Sequence, residues 1–472
     1  MKKTKIICTL GPASSNVAVL EKLINAGMNI ARLNFSHGTY AEHAERIRLV
    51  REAAAKTKQP VGILADIQGP KIRTGLLPNE PLMMNKGDRF FLSADPAKEG
   101  LPGYIYVKYP TLNEDVQVGR NIFLADGMIG MKILEKRPEG ILCEVTSGGE
   151  LTSKKGVTFP GVSVNLPAMT EKDRKDIAFA VEQKLDFIAV SFARKAEHID
   201  EIRSLVHELG GHQMLIAKIE NEEGFQNSEE ILGVADGIMV ARGDLGVEVP
   251  PEEVPLIQRH LIELCNNAGK PVITATEMLE TMVRNPRPTR AEVTDIAHAI
   301  FDGTDAIMLS AETAVGKHPV SAVEMMSRVA QRIEESLKYE KILARKRVSA
   351  FPSVSDAISH ATCQTALDLK AVAIITSTQS GSTARMVSKY RPQAPVVAAT
   401  PSEQVARQLS INWGVYPIMV PIADNIDHMF EVSVAAAKDN GFVSTGDLIV
   451  ITAGVSTGVP GSTNLLKVHY VE

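Results

Sequence analysis

The chain has too few cysteines, too widely spaced, to be held together by them. Cys8, Cys143, Cys265 and Cys363 show no C-x-x-C spacing, which excludes a zinc knuckle and a disulfide framework and leaves reduced, mostly buried thiols as the expectation. No stretch approaches the ~18–20 uninterrupted apolar residues that a bilayer span requires. The N-terminal sequence MKKTKIICTLGPASS begins basic, but its apolar run at 6–10 is too short for the core of a signal peptide and leads into the turn Gly11-Pro12. Positive charge is not in excess either: 51 Lys and Arg stand against 56 Asp and Glu, a net −5, so nothing in the bulk charge draws the chain to nucleic acid or anionic lipid. These absences predict a cytoplasmic protein that works on small molecules, with no nucleic-acid or membrane partner.

What is present suffices for a large core. Hydrophobic residues make up 44% and charged residues 23%, and 472 residues imply two to four domains at ~100–200 residues each. Short β-branched runs alternate with amphipathic segments, and the hydrophobic period switches from strand to helix each time. Eight such strands fall at 4–10, 29–35, 61–67, 186–192, 214–219, 237–241, 271–276 and 305–309. Eight parallel strands, nearly all followed by a helix, predict a closed TIM-type (β/α)8 barrel, since an open doubly wound sheet has no reason to stop at eight. Between the third and fourth strands, residues 71–167 are turn-rich and short-stranded, as in a small β-barrel or sandwich inserted above the barrel mouth, where it would serve as a lid. From 341 to 472 a new strand–helix series predicts a C-terminal open α/β domain. The expected division is therefore 1–70 with 168–340, then 71–167, then 341–472.

A barrel of this kind collects its chemistry at the C-terminal ends of its strands, and the sequence meets that test. The second strand ends in Arg32, Asn34 and Ser36, the third in Asp66, the fifth in Lys218, Glu220 and Asn221, the sixth in Arg242 and Asp244, the seventh in Thr274 and Thr276. One charged residue at such a place is more often a helix cap or a member of an ion pair; the whole set converging on one mouth is not. Glu220 and Asp244, on neighbouring strands, suit a hard divalent ion that takes its remaining ligands from water and substrate oxygens, as Mg²⁺ does, with Mn²⁺ as a substitute. Lys218 shares the side-chain parity of Glu220, and with Arg73 it completes an arrangement for oxyanions, phosphate in transfer above all.

The segments ARLNFSHG, LIAKIENEEGF, MVARGDLGVE, ITATEMLETM, NPRPTRAE and MLSAETAVGKHP resemble pyruvate kinase, and the resemblance runs from Lys3 to the C-terminus. It implies phosphoryl transfer from phosphoenolpyruvate to ADP, giving ATP and an enolate that is protonated to pyruvate. On that likeness Glu220 and Asp244 bind Mg²⁺, and Lys218 and Arg73 neutralise the moving phosphoryl group and the enolate oxygen. Thr276 helps deliver the proton through water, and the backbone of Ala241, Arg242 and Gly243 holds the substrate carboxylate. Arg32, Asn34, His37, Arg73 and Lys155 face the nucleotide, and Arg32 also meets the substrate. A metal-dependent aldolase or lyase acting on pyruvate enolate is the alternative, but it needs neither a lid nor a second phosphate site. A non-catalytic binding protein would be expected to have lost one of Arg73, Lys218, Glu220, Asp244 or Thr276.

The likeness also implies a homotetramer and an allosteric phosphate pocket at Thr376, Ser377, Thr378, Ser380, Gly381, Ser382 and Thr383. The facing loop at 454–463 has no Arg or Lys to grip a second phosphate, which favours a sugar monophosphate or nucleoside monophosphate over fructose bisphosphate as effector. Three departures stand out. Glu277 replaces the usual glutamine, Thr158 replaces an asparagine, and Asp66-Ile67-Gln68-Gly69-Pro70-Lys71 replaces a pattern like D-T-K-G-P-E. Asn34, Ser36, Asp66 and the Ile67 carbonyl match the family's K⁺ ligands, yet Lys71 stands where K⁺-dependent members carry glutamate. Its ammonium supplies the charge that K⁺ would bring, so K⁺ is not expected to be required.

Overall fold

The computed structural model describes residues 1–346, 353–454 and 463–472. Eight parallel strands close a barrel: β1 (Lys5–Thr9), β2 (Ile30–Asn34), β3 (Gly62–Asp66), β4 (Phe187–Val190), β5 (Met214–Ile219), β6 (Gly237–Ala241), β7 (Val272–Ala275) and β8 (Ala306–Leu309). They follow one another in chain order round the ring, and β8 returns to β1 with Ala306 opposite Lys5. Each strand is apolar on both faces because alternate residues serve different cores. In β1, Ile6 and Cys8 pack outward against the helices, while Ile7 points into the barrel with Ile30, Leu64, Phe187, Ile216, Met239 and Ile273. All eight strands anticipated from hydrophobic periodicity are found within two residues of their expected bounds.

The chain leaves the barrel after β3 and returns through the helix Glu171–Glu182 to β4, so the inserted residues rise from the C-terminal ends of the strands. Their strands bond as a six-stranded sheet, with Arg89–Ser93, Ile129–Arg137 and Gly140–Ser147 at its middle, and as a ribbon pairing Leu82–Met84 with Gly149–Leu151. The expected small barrel or sandwich is thus two sheets round one separate core that includes Leu92, Ile105, Ile122, Met131 and Ile141.

At the opposite end, Ala373–Ser377, Val396–Thr400, Val415–Met419 and Leu448–Gly454 form a parallel sheet, with Thr463–Tyr470 added antiparallel at its edge. Helices on both faces give this domain two apolar layers. Its Ile411 joins the core inside the barrel, closing the barrel's floor. The N-terminal lysines staple the two units together: Lys3 Nζ donates to Gln393 O at 2.6 Å and lies 4.1 Å over the Tyr339 ring, and Lys5 Nζ donates to Val415 O at 2.5 Å. Arg391 pairs with Asp305 at 2.8 Å and Arg407 with Asp186 at 2.9 Å on the same seam. Among the described residues no helix is long and apolar enough to cross a membrane.

Candidate functional site

The mouth is organised around one buried ammonium. Lys218, on β5, is 8% exposed, and its Nζ lies 3.1 Å from Asp66, 2.8 Å from Glu220 and 2.7 Å from Ser191 Oγ. Burial opposes its charge, but the carboxylates of Asp66 and Glu220 outweigh burial and hold the group above the ordinary lysine range. Asp66, at the end of β3, also receives Arg32 from β2, whose guanidinium reaches it at 2.7 and 2.8 Å. Burial would raise the Asp66 carboxyl, yet the two cations carry it below its usual value. Arg32 continues to Thr9 Oγ1 at 2.8 Å, so the ends of β1, β2, β3 and β5 are joined by one charged network.

Glu220 follows β5 directly. Its second oxygen accepts the Phe192 N–H at 2.7 Å, and Phe192 takes φ +55° to present it. Burial, reinforced by the negative charge of Asp244, pushes Glu220 up to about 7 in spite of Lys218. A buried carboxyl raised in part by a neighbouring carboxylate fits a divalent cation, whose charge would relieve it. Among the described residues no cluster of three or more His, Cys, Asp or Glu forms a complete metal cage, so such an ion would complete its shell from water and substrate. Asp244, in the short helix Arg242–Glu248 after β6, pairs at 2.9 Å with Lys71, which bonds Asp126 of the inserted domain at the same distance.

On the facing side Thr276 follows β7 at φ +70° and Glu277 follows at φ +57°. A β-branched residue in the left-handed region is strained, and such strain is kept where the surroundings hold a side chain for use. Here the Thr276 hydroxyl accepts the Gly243 N–H at 2.9 Å and donates to Ala275 O at 2.6 Å. Arg242 turns its guanidinium away to Asp295 at 2.7 Å and to the carbonyls of Ala275 and Thr276, leaving the 241–243 backbone at the mouth.

The remaining candidates divide. Asn34 and Asp66 are register partners on β2 and β3; Asn34 Oδ1 caps the Ser36 N–H at 3.0 Å, and Ile67 O accepts Ser191 Oγ at 2.7 Å, so the four expected K⁺ ligands lie on adjoining strand ends. Lys71 reaches Asp244 instead of pointing into solvent. Arg73 and Lys155 sit together in the stem of the inserted domain, where Thr74 exchanges hydrogen bonds with Lys155 and Arg73 donates to Lys154 O at 3.2 Å; the structure does not bring Arg73 into contact with Lys218. His37 is exposed in the turn before the second helix and its carbonyl meets His43. Thr158 forms part of the cavity of about 210 Å³ between inserted domain and barrel, which Lys71, Phe192, Glu220, Asp244 and Glu248 also line, whereas Glu277 is exposed beyond it. Ser191 and Asp126 were not anticipated. Ser191 ends the one strand between β3 and β7 that offered no charged residue, and Asp126 looks like any turn aspartate.

In the C-terminal domain the hydroxyl-rich loop joins a strand to the helix Ser382–Lys389, with Gly381 at φ +80° donating to Thr378 Oγ1 at 2.9 Å and Ser380 O accepting from Arg385 at 3.0 Å. Thr376 and Ser377 bond inward, to Val397 O and Ser433, and Thr383 meets Thr463 at 2.8 Å. Most of the facing loop at 454–463 lies outside the described residues.

Family models now decide the matter: one described as pyruvate kinase, barrel domain, matches residues 1–323, and one described as pyruvate kinase, alpha/beta domain, matches 356–469. The chain belongs to the pyruvate kinase family. Proteins named pyruvate kinase from Geobacillus stearothermophilus and Bacillus licheniformis are each 52% identical across all of this chain, which covers 80% and 81% of their lengths. The pyruvate kinase of Clostridium acetobutylicum is 49% identical over the whole of both chains. The mouth ringed by Lys218, Asp66 and Glu220 is thus that of a pyruvate kinase barrel.

Proposed function

We propose that this mouth carries out the phosphotransferase reaction of the family, moving the phosphoryl group of phosphoenolpyruvate to ADP to give ATP and pyruvate as the closing step of glycolysis in the cytoplasm. The observation that carries the reading is the buried Lys218 ammonium, held charged by Asp66 and Glu220 beside a third carboxylate, Asp244. A phosphoryl group in transfer needs little covalent help; it needs positioning and positive charge where oxygen charge builds up. Lys218 supplies a fixed positive charge for the bridging oxygen that becomes the enolate. Arg32 is held by Asp66 at the same mouth, and Arg73 and Lys155 come from the inserted domain above it, so closure would bring them to the nucleotide phosphates. When Mg²⁺ is bound, by Glu220 and Asp244, it neutralises phosphate and carboxylate oxygens of the substrate. The 241–243 backbone then holds that carboxylate. Thr276 commits its own proton to Ala275 O, so the proton that the methylene carbon takes up arrives from water positioned by the Thr276 oxygen.

The same reading takes K⁺ to be dispensable, because the Lys71 ammonium stands at the mouth paired with Asp244. It also takes the loop from Thr378 to Thr383 to receive the phosphate of a monophosphate effector, and four copies to form the working assembly. The separate cores support the domain division at 70/71, 167/168 and 340/341. The test is ATP formation from phosphoenolpyruvate and ADP with Mg²⁺ in a buffer free of K⁺ and NH₄⁺, repeated with K⁺ and with candidate effectors. Full activity without K⁺ is expected; an enzyme nearly inactive until K⁺ is added overturns the lysine-for-potassium argument, and one making pyruvate without nucleotide overturns the reaction.

A further inference from the structure

The inserted domain touches the metal-binding side of the barrel through one turn. Ala125 and Asp126 are both left-handed, at φ +51° and +53°, and present the Asp126 carboxylate downward. Gly127 follows, where a Cβ would lie 3.4 Å from Val247 Cγ2, so the turn rests against the helix that carries Asp244. Lys71 Nζ lies between the two carboxylates, 2.9 Å from each. Its stem crosses Gly156, where a Cβ would meet Lys71 Cε at 2.7 Å, and its charge lies 5.7 Å from the centre of the Phe192 ring. Gly156 and Phe192 thus bound the lysine on two sides, and its two ion-pair partners are Asp126 and Asp244.

We propose that Asp126 is a positioning residue that receives the Lys71 ammonium when a divalent cation occupies Asp244. The proposal rests on Asp244 being a metal carboxylate. A cation arriving at Asp244 repels Lys71 and competes for the same oxygen; without Asp126, Lys71 would be left with no carboxylate in direct contact, only the charge of Glu248 across the cavity, and that cost would fall on metal binding. Asp126 lowers the cost by keeping the ammonium paired. By linkage, the metal in turn tightens the Lys71–Asp126 contact inside the inserted domain.

The experiment is Mn²⁺ binding to the substrate-free protein, read by the electron paramagnetic resonance signal of free Mn²⁺, in a double-mutant cycle. Asp126→Asn should weaken Mn²⁺ binding by about three- to ten-fold, and the effect should vanish when Lys71→Gln is already present, because coupled neighbours fail to add. Asp126→Glu should restore part of the affinity. An unchanged or tighter affinity in Asp126→Asn overturns the proposal, as does an equal loss in both backgrounds, which would make Asp126 only a distant negative charge. Asp244→Asn is the control: if it leaves Mn²⁺ binding intact, the metal assignment is wrong and this inference falls with it, an outcome distinct from failure of the cycle alone.

Discussion

Replacing Asp66 with Asn tests the electrostatics of the mouth directly. The carboxylate is 2% exposed and receives Arg32 at 2.7 and 2.8 Å and Lys218 at 3.1 Å. Asparagine keeps the shape and one oxygen but removes the charge that lets two cations share a dry site. By Coulomb's law, two unit charges roughly 5 Å apart at an effective dielectric of ~20 repel by about 3 kcal/mol, the scale of the repulsion that Asp66 offsets. Removal of one member of a buried ion pair costs a similar ~3–5 kcal/mol, the remaining Lys218–Glu220 contact at 2.8 Å placing the variant toward the lower end. The penalty is met partly as lost stability and partly by Lys218 releasing its proton more readily. Turnover in a lactate-dehydrogenase-coupled assay should fall by about 100-fold near neutral pH, since ~1.4 kcal/mol corresponds to ten-fold. Thermal unfolding should shift down by several degrees. Turnover within a factor of two of the parent, with unchanged melting, would refute the claim that Asp66 sets the charge of Lys218.

Other variants probe the remaining parts. Glu220→Gln and Asp244→Asn should each lower activity at limiting Mg²⁺ by about 100-fold or more while the fold, read by circular dichroism, survives; near-normal turnover in both would remove the metal assignment. With Glu220 raised from 4.5 to about 7, its contribution to stability is present below pH 4.5 and lost as pH climbs through 7. A metal needs the ionised form, so Mn²⁺ affinity should rise with pH up to about 7 and flatten above it, and the slope should disappear in Glu220→Gln. Thr276→Ala should cut kcat by about 10²–10³-fold with phosphoenolpyruvate binding retained, whereas loss of binding instead would make the residue a positioning group. Lys71→Glu should make turnover partly dependent on K⁺, measured as activity with and without added KCl.

Much of this arrangement is legible in the residues because barrel strands carry a strong signal. Runs such as Ile6-Ile7-Cys8 and Ile216-Ala217 are buried on both faces, so they are apolar without interruption, and a charged residue at their ends is conspicuous. Lys218, Glu220, Asp66 and Arg32 stand out in this way, and the structure joins them. Ser191 gave no such signal, being a small hydroxyl after an apolar strand, although it touches Lys218, Asp66 and the Ile67 carbonyl. Asp126 escaped because its importance arises from a tertiary contact across 55 positions. The direction of Lys71 is likewise tertiary: a loop lysine ordinarily points to water, and only the two facing carboxylates hold this one inside. Left-handed Thr276 defies its own preference, since nothing local favours φ +70° in a β-branched residue.

The closing of β8 onto β1 bears on how the chain is made. Lys5 finds its partner Ala306 only after some three hundred residues have followed it, and Lys3 and Lys5 reach their carbonyl acceptors at Gln393 and Val415 later still. During synthesis from the N-terminus, β1 waits with one edge unpaired and its apolar residues uncovered, the state in which chains aggregate. The inserted domain has no such wait, because its longest hairpin, Ile129–Arg137 with Gly140–Ser147, is local in sequence and closes as soon as it emerges. The last pairing that β1 needs is therefore among the last the chain can make, whereas the hairpin of the inserted domain needs only residues close at hand.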